Sequence, residues 1–291
     1  MDFAQQLVNG VQIGSVYALV AIGYTMVYGI AKMINFAHGD IIMVGSYVAL
    51  LFFQSSGLPV WGVIAATAAV SAVLGVTIER LAYKPLRGGS RMSALITTIG
   101  VSLMLQNGFL LIFGSSPKPF PNHFTGEGFT LGGVTVSRLT AITLVVTVVL
   151  MVLLTLFVNR ARVGKAMRAV SEDQGAAQLM GINIDTSISI TFAIGSALAA
   201  VAAVLYSSTY PLINPYMGSM LGLRAFIAAV IGGTGVIPGA MIGAFIIGIA
   251  EALIKRYISS AMADAIVFAL LIIVLLVKPS GLLGRNEREK V

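Results

Sequence analysis

Long apolar stretches separated by short polar ones run through most of the chain. Six of them are continuous and near the 20 residues that a bilayer-spanning helix needs: Phe3–Tyr28, Trp61–Tyr83, Ala94–Phe113, Leu139–Val158, Ser187–Ser207 and Ala263–Val277. Two further regions are apolar but interrupted. One is Ile41–Phe53, which follows Asn35-Phe36-Ala37-His38-Gly39-Asp40; the other is Leu221–Ile231, a glycine-rich break ending at Pro238-Gly239, then Ala240–Ile254. The pattern predicts an all-α polytopic membrane protein, a single transmembrane domain over residues 1–291, with about eight or nine transmembrane helices, some of them interrupted. One segment breaks it. Residues 114–137 are too polar and too rich in Pro, Gly and Asn to span, and within them Phe129–Val136 alternates about Gly132-Gly133, as a short hairpin does. It reads as a cap over helix ends or as a docking surface for a partner outside the cytoplasm.

Composition sharpens the class. Of 291 residues, 57% are hydrophobic and 10% charged, with a mean hydropathy of +0.95, too little polar surface to coat a soluble particle. The net charge of +7 does not point to nucleic acid, because the basic residues lie in short loops between apolar spans. Lys32, Arg80, Lys84, Arg87, Arg91, Arg160, Arg162, Lys165, Arg168, Lys278, Arg285, Arg288 and Lys290 all fall on one side if the spans alternate. By the positive-inside rule that side is cytoplasmic, which puts the C-terminus inside and, with nine crossings, the N-terminus outside. Lys255 and Arg256 are the exceptions, landing outside. The first apolar run is too long for a cleavable signal peptide and lacks a basic start.

Chemistry is sparse. Zero cysteines exclude thiolate metal sites and disulfides, and two histidines exclude a multi-histidine metal site within one chain. There is no G-x-x-x-x-G-K-[ST], H-E-x-x-H or G-x-S-x-G, so no enzyme is expected. The loop 159–185 is more informative. Ser171-Glu172-Asp173-Gln174 reads as a capping box, with Ser171 as N-cap and Gln174 reaching back, and Gly181 ends the short helix. The apolar Ala176, Ala177, Leu179 and Met180 make that helix sticky, and two turns need a surface to lie on.

Ala176-Ala177-Gln178-Leu179-Met180-Gly181 resembles the A-A-x-x-x-G part of the loop by which ABC importer permeases engage their ATPases, although Gly175 stands where Glu is usual and no Leu-Pro follows. The runs Leu7–Leu19, Gly23–Ile30 and Ile34–Asp40, together with Arg168-Ala169, Met180–Asn183, Ala225-Phe226, Gly232-Gly233 and Pro238–Ala240, resemble bacterial branched-chain amino-acid permeases of ABC importers, LivH type. The resemblance spans residues 7 to about 284. It implies a subunit of the bacterial inner membrane that forms the translocation pathway for leucine, isoleucine and valine. It implies as partners a second homologous permease, two ABC ATPase subunits and a periplasmic amino-acid-binding protein. No cofactor is expected in this chain; ATP and Mg belong to the ATPases. The ATPase-coupling residues would be Ser171, Glu172, Asp173, Ala176, Ala177 and Gly181.

A zwitterion with an apolar side chain needs a few polar groups along its path. The candidates are Asn9, Gln12, Asn35, His38, Gln106, Asn107 and Glu251, against the plainer readings that Asn9 and Gln12 meet headgroups, Asn35 and His38 cap or stitch a helix break, Gln106 and Asn107 bond neighbouring helices and Glu251 meets a partner helix. Asp40 and Arg224 read as helix-end anchors or as salt-bridged charges. Urea, short amides or other amino acids are rival substrates. A stand-alone secondary carrier is the rival mechanism, with only Asp40, Glu251 and Asp264 to build an ion site, and a membrane scaffold is the third reading.

Overall fold

In a computed structural model, residues 2–87, 89–124, 126, 128–131 and 133–284 are described. Gly132 of the hairpin turn and the basic tail residues Arg285, Arg288 and Lys290 lie outside them. The first half contains α1 (Asp2–Ala31), α2 (His38–Ser55), α3 (Val60–Ile78), α4 (Arg91–Phe113) and α5 (Arg138–Arg160). Then come α6 (Arg162–Glu172), α7 (Gln174–Leu179), α8 (Ile184–Thr209), α9 (Met217–Gly232), α10 (Ile237–Tyr257) and α11 (Ala263–Val277). Six helices are long and apolar enough to cross a membrane; α9 and α11 are apolar but shorter.

The helices sort into a core and a rim. The most apolar windows of α1 and α8 are 83% and 72% buried, whereas those of α4 and α5 are each 17% buried. A helix that is apolar all round and also covered is an internal one, and this fits the weak amphipathicity of α1. Between such helices lipid supplies no hydrophobic drive, so close approach of small residues has to hold them. The glycines do this. A Cβ on Gly248 of α10 would sit 2.3 Å from the backbone N of Gly14 in α1, and one on Gly39 of α2 would sit 2.2 Å from the carbonyl oxygen of Gly218 in α9. Antiparallel packing of α1 on α10 follows from the order of contacts, Gly10 against Ile249, Gly14 against Phe245 and Gly29 against Gly235.

Three departures from regular helix fix the interior. After α1 the chain turns at Lys32, the one non-glycine residue with positive φ (53°) among those described, and α2 begins at His38, packed against Gly23 of α1. Gly23 in turn abuts Gly195, near the midpoint of α8, so α2 starts deep inside the molecule. Past Ile78, α3 widens into a π-helical turn over Glu79–Tyr83, a local rearrangement common at functional positions. Between α9 and α10 the chain reverses at Gly233 and Gly235, and Leu282 and Leu283 donate to the open carbonyls of Ile231 and Gly232 at 2.8 and 3.0 Å. The C-terminal segment thus satisfies the end of α9.

The described residues of the segment 114–137 pack against helix ends. Strand β1 (Lys118–Pro119) pairs with β4 (Leu212–Ile213), which connects α8 to α9, while β2 (Phe129–Leu131) and β3 (Val134–Val136) form the expected antiparallel hairpin, with Phe129 opposite Val136. Gln5 of α1 exchanges two hydrogen bonds with the Thr135 backbone, at 3.0 and 2.9 Å. Phe53 at the end of α2 stacks on His123 with ring centroids 4.3 Å apart. These contacts make the segment a cap.

Candidate functional site

The polar residues of the apolar interior gather into three groups, and one exposed helix stands apart from them. The first group surrounds the start of α2. Asn35 is buried and its Oδ1 accepts a 2.7 Å hydrogen bond from the Tyr83 hydroxyl in the π turn. Gln106, on α4, donates from Nε2 to Asp40 Oδ1 at 2.9 Å and lies within hydrogen-bond reach of Ser102 (3.0 Å) and Ser219 (2.7 Å). Asp40 is fully buried without a salt bridge among the described residues, so it is held as the anchor at a helix start. Within this group Asn35 Nδ2, His38 Nε2 and Asp40 Oδ2 have no hydrogen-bond partner among the described residues. Buried polar atoms are nearly always paired, with protein or with ordered water, so three unpaired ones around one helix start are unusual.

The second group is ionic and joins α1, α9, α10 and α11. Glu251, 1% exposed, accepts from the Tyr17 hydroxyl at 2.8 Å and from Lys255 Nζ at 2.5 Å, and Arg224 Nη1 lies 3.3 Å from its Oε1. Arg224 also pairs with Asp264 and donates to the Tyr17 hydroxyl. Salt-bridging, the sharper of the two expectations for Arg224, is therefore the observed one. Lys255, out of place for a positive-inside count, is neutralised by Glu251 one turn earlier on the same helix.

The third group lies where α3 ends and α8 begins. Glu79, fully buried, pairs with Arg87 and accepts from Ser189 at 2.5 Å; Asp185 pairs with Arg87 and with Lys84, the latter at 2.7 Å. Glu79 was not among the acids singled out from the sequence. The signal was available: a carboxylate inside an apolar span, eight residues before Arg87.

Three of the sequence-predicted pathway residues do not join any group. Asn107 is exposed and donates to the Leu103 carbonyl of its own helix at 2.8 Å, facing away from Gln106. Asn9 bonds within α1, to Gln5 and Gln6 at 3.3 Å each. Gln12 lines a cleft of about 380 Å³ under the cap, with Asn122, Arg138 and Ser208.

Helix α7 differs from the capping-box expectation. Ser171 is not its N-cap: that residue continues α6, and its hydroxyl bonds back to the Arg168 carbonyl at 2.7 Å. Asp173 breaks away at φ −154° and caps α7, its Oδ1 accepting from Ala176 N at 2.9 Å. The Asp173 carboxylate reaches the N–H three residues on, and α6 retains Ser171 because Met167 and Val170 anchor it to the core. The other end is as expected. Gly181 has φ +81°, Ile182 N bonds to Ala177 O and Gly181 N to Gln178 O, both at 3.0 Å, which is a Schellman closure. Ala177 is buried, but Leu179 and Met180 are 90% and 82% exposed. Two large apolar side chains thus project from a rigidly closed short helix.

Residues 6–275 match the family model described as branched-chain amino acid transport system / permease component. The chain belongs to this family. It is 48% identical to the high-affinity branched-chain amino acid transport system permease protein LivH of Escherichia coli K12, over 99% of this chain and 98% of that one. It is 47% identical to BraD, the corresponding permease protein of Pseudomonas aeruginosa, with the same coverage. A probable branched-chain amino acid permease of Methanocaldococcus jannaschii is 32% identical over 91% of this chain and 88% of its own length. As a member of a transport-permease family with several long apolar helices, the chain is a multi-pass membrane protein. No group of three or more potential metal ligands occurs among the described residues.

Proposed function

We propose that this chain is one transmembrane subunit of an ATP-driven importer of branched-chain amino acids (leucine, isoleucine and valine) in a bacterial inner membrane. It would form the pathway with a second homologous permease and draw energy from two ABC ATPases, which hold the ATP and Mg. Helices α1 to α5 and α8 to α11 make nine crossings in this reading. Its N-terminus is outside, its C-terminus cytoplasmic, α6 and α7 lie on the cytoplasmic side, and the 114–137 cap lies on the side of a periplasmic binding protein. The near-full-length relatedness to high-affinity branched-chain permeases supports the substrate class.

The observation that carries the coupling half is α7: a capped, Schellman-closed helix that buries Ala177 against its own subunit and presents Leu179 and Met180 outward. Asp173, Ala176, Ala177 and Gly181 shape that helix, while Ser171 and Glu172 close α6 beside it. The pathway reading falls on Asn35, His38 and Gln106 around Asp40, where unpaired polar atoms lie beside apolar walls. Glu251 belongs instead to the ionic brace. A stand-alone carrier is the weaker reading, because of the three acids that could build an ion site Glu251 and Asp264 are already engaged by Arg or Lys, which leaves Asp40 alone.

The test has two stages. Tagged protein taken from its own membranes in mild detergent is analysed by mass spectrometry, and the complex is then reconstituted with its binding protein for uptake of radiolabelled leucine. Co-purification of two P-loop ATPases and a sister permease, with ATP-dependent leucine uptake, is the expected result. Recovery of the chain alone would remove the importer reading, and uptake of urea or another amino acid in place of leucine would replace the substrate.

A further inference from the structure

We propose that the groove between the ends of α3 and α8 binds an anionic phospholipid, with Arg80 holding the phosphate. The groove is a cleft of about 620 Å³. Its two walls are helical stripes: Val76, Arg80 and Lys84 at four-residue steps along α3 and its π turn, and Thr186, Ile190 and Ala193 along α8. Chemistry changes along its length. One end is apolar, formed by Val76, Ile190 and Ala193, next to the exposed Val73. The other end is charged and coincides with the helix termini, where Asn183 caps α8 by accepting from Thr186 N at 3.0 Å. Apolar at membrane depth and basic where the helices end is the layout of a lipid with acyl chains and a charged headgroup.

The charge at the basic end is unbalanced. Arg80 is exposed and has no acidic partner among the described residues. The neighbouring carboxylates are already engaged, Glu79 by Arg87 and Ser189, Asp185 by Arg87 and Lys84. Three cations against two carboxylates leave one positive charge at a level where lipid phosphates lie. A basic residue near a membrane surface contributes about 1 kcal/mol toward an anionic lipid, which corresponds to roughly fivefold in affinity. The apolar end separates a lipid from a free phosphate, because a soluble anion has no use for it.

The experiment uses the purified full-length protein in its native complex, delipidated in detergent. It is titrated with phosphatidylglycerol, with phosphatidylethanolamine of the same acyl chains and with inorganic phosphate, and bound lipid is counted by native mass spectrometry. Phosphatidylglycerol is expected to bind more tightly than phosphatidylethanolamine. Arg80→Gln, at an exposed position without a partner, should weaken phosphatidylglycerol about fivefold and leave phosphatidylethanolamine unchanged. Ala193→Trp, which fills the apolar end, should weaken both lipids. Unchanged phosphatidylglycerol binding by Arg80→Gln overturns the site, and displacement of the lipid by equimolar inorganic phosphate overturns the lipid assignment. A photo-cross-linking residue at Ile190 supplies the last check in intact membranes: adducts to lipid support the proposal, and adducts to a neighbouring protein chain sink it.

Discussion

Two buried polar groups lie on either side of α9, and they are built on opposite principles. Around Arg224 each charge meets an opposite one: Glu251 with Arg224 and Lys255, Asp264 with Arg224, and the Tyr17 hydroxyl bridging Glu251 to Arg224. Around the start of α2 there is a single carboxyl, Asp40, its bonding neighbours are neutral, and Asn35, His38 and Asp40 each keep one polar atom unpaired. Charges closed upon one another brace four helices, with Arg224 Nε the buried atom of that group left unpaired among the described residues. Unpaired donors and acceptors cost roughly 1–3 kcal/mol apiece while they stay buried. In the pathway reading proposed above, the start of α2 bears that cost for a passing solute, and the ionic group serves as structure.

The comparison is open to direct attack by two isosteric neutralisations. Glu251→Gln removes the carboxylate from between Arg224 and Lys255 and should cost about 3–5 kcal/mol, the range for breaking a buried pair, visible as a large drop in the thermal midpoint in detergent. Asp40→Asn exchanges a carboxyl that has no cationic partner among the described residues for its isosteric amide and should stay within about 1 kcal/mol of the parent by the same measurement, since no ion pair is broken, while leucine uptake falls. Equal destabilisation by the two substitutions would erase the distinction. Leu179→Asp tests a third kind of polarity, one added on the exposed apolar face of α7: uptake should be nearly abolished with the thermal midpoint changed little, and normal uptake would remove α7 from the coupling path. A smaller effect is expected outside the membrane, where deletion of Phe129–Val136 should reduce stimulation by the binding protein a few-fold, against no change if the hairpin only caps. Smallest of all, Asn107→Ala should leave both uptake and stability at parental levels, because its side chain serves its own helix on an outer face.

How much of this could be read from the chain depends on which physical signal each feature leaves. Span boundaries fall close to those drawn from hydropathy, with α5 at Arg138–Arg160 against Leu139–Val158, because charge is excluded from the bilayer interior at single-residue resolution. The hairpin was legible from alternation, and Gly181 from its place after an apolar turn. The N-cap of α7 was not, since Ser171 and Asp173 are both good caps and only the packing of Met167 and Val170 decides where α6 stops. Gln106 and Asn107 are adjacent, and a helix turns about 100° between them. One therefore faces Asp40 and the other faces outward, and the sequence does not say which. Tyr17 left no trace at all, because α1 is apolar on every side and its periodicity points nowhere.

Helix α11 has 15 residues, a length of about 22 Å, against a hydrocarbon layer of about 30 Å. Of its residues only Ala263 and Val267 are buried, so most of its surface faces outward rather than into the fold. In the nine-crossing reading proposed above, a bilayer meeting so short a wall thins beside it, and the dimple travels with the protein. The chain in that reading carries its own terrain: the sheet of lipid along one flank is under strain that thinner membranes relax and thicker ones aggravate. Vesicles made with a ladder of acyl-chain lengths would read that strain as a steady drift in activity. Any neighbour of matching height would find the slope already prepared for it.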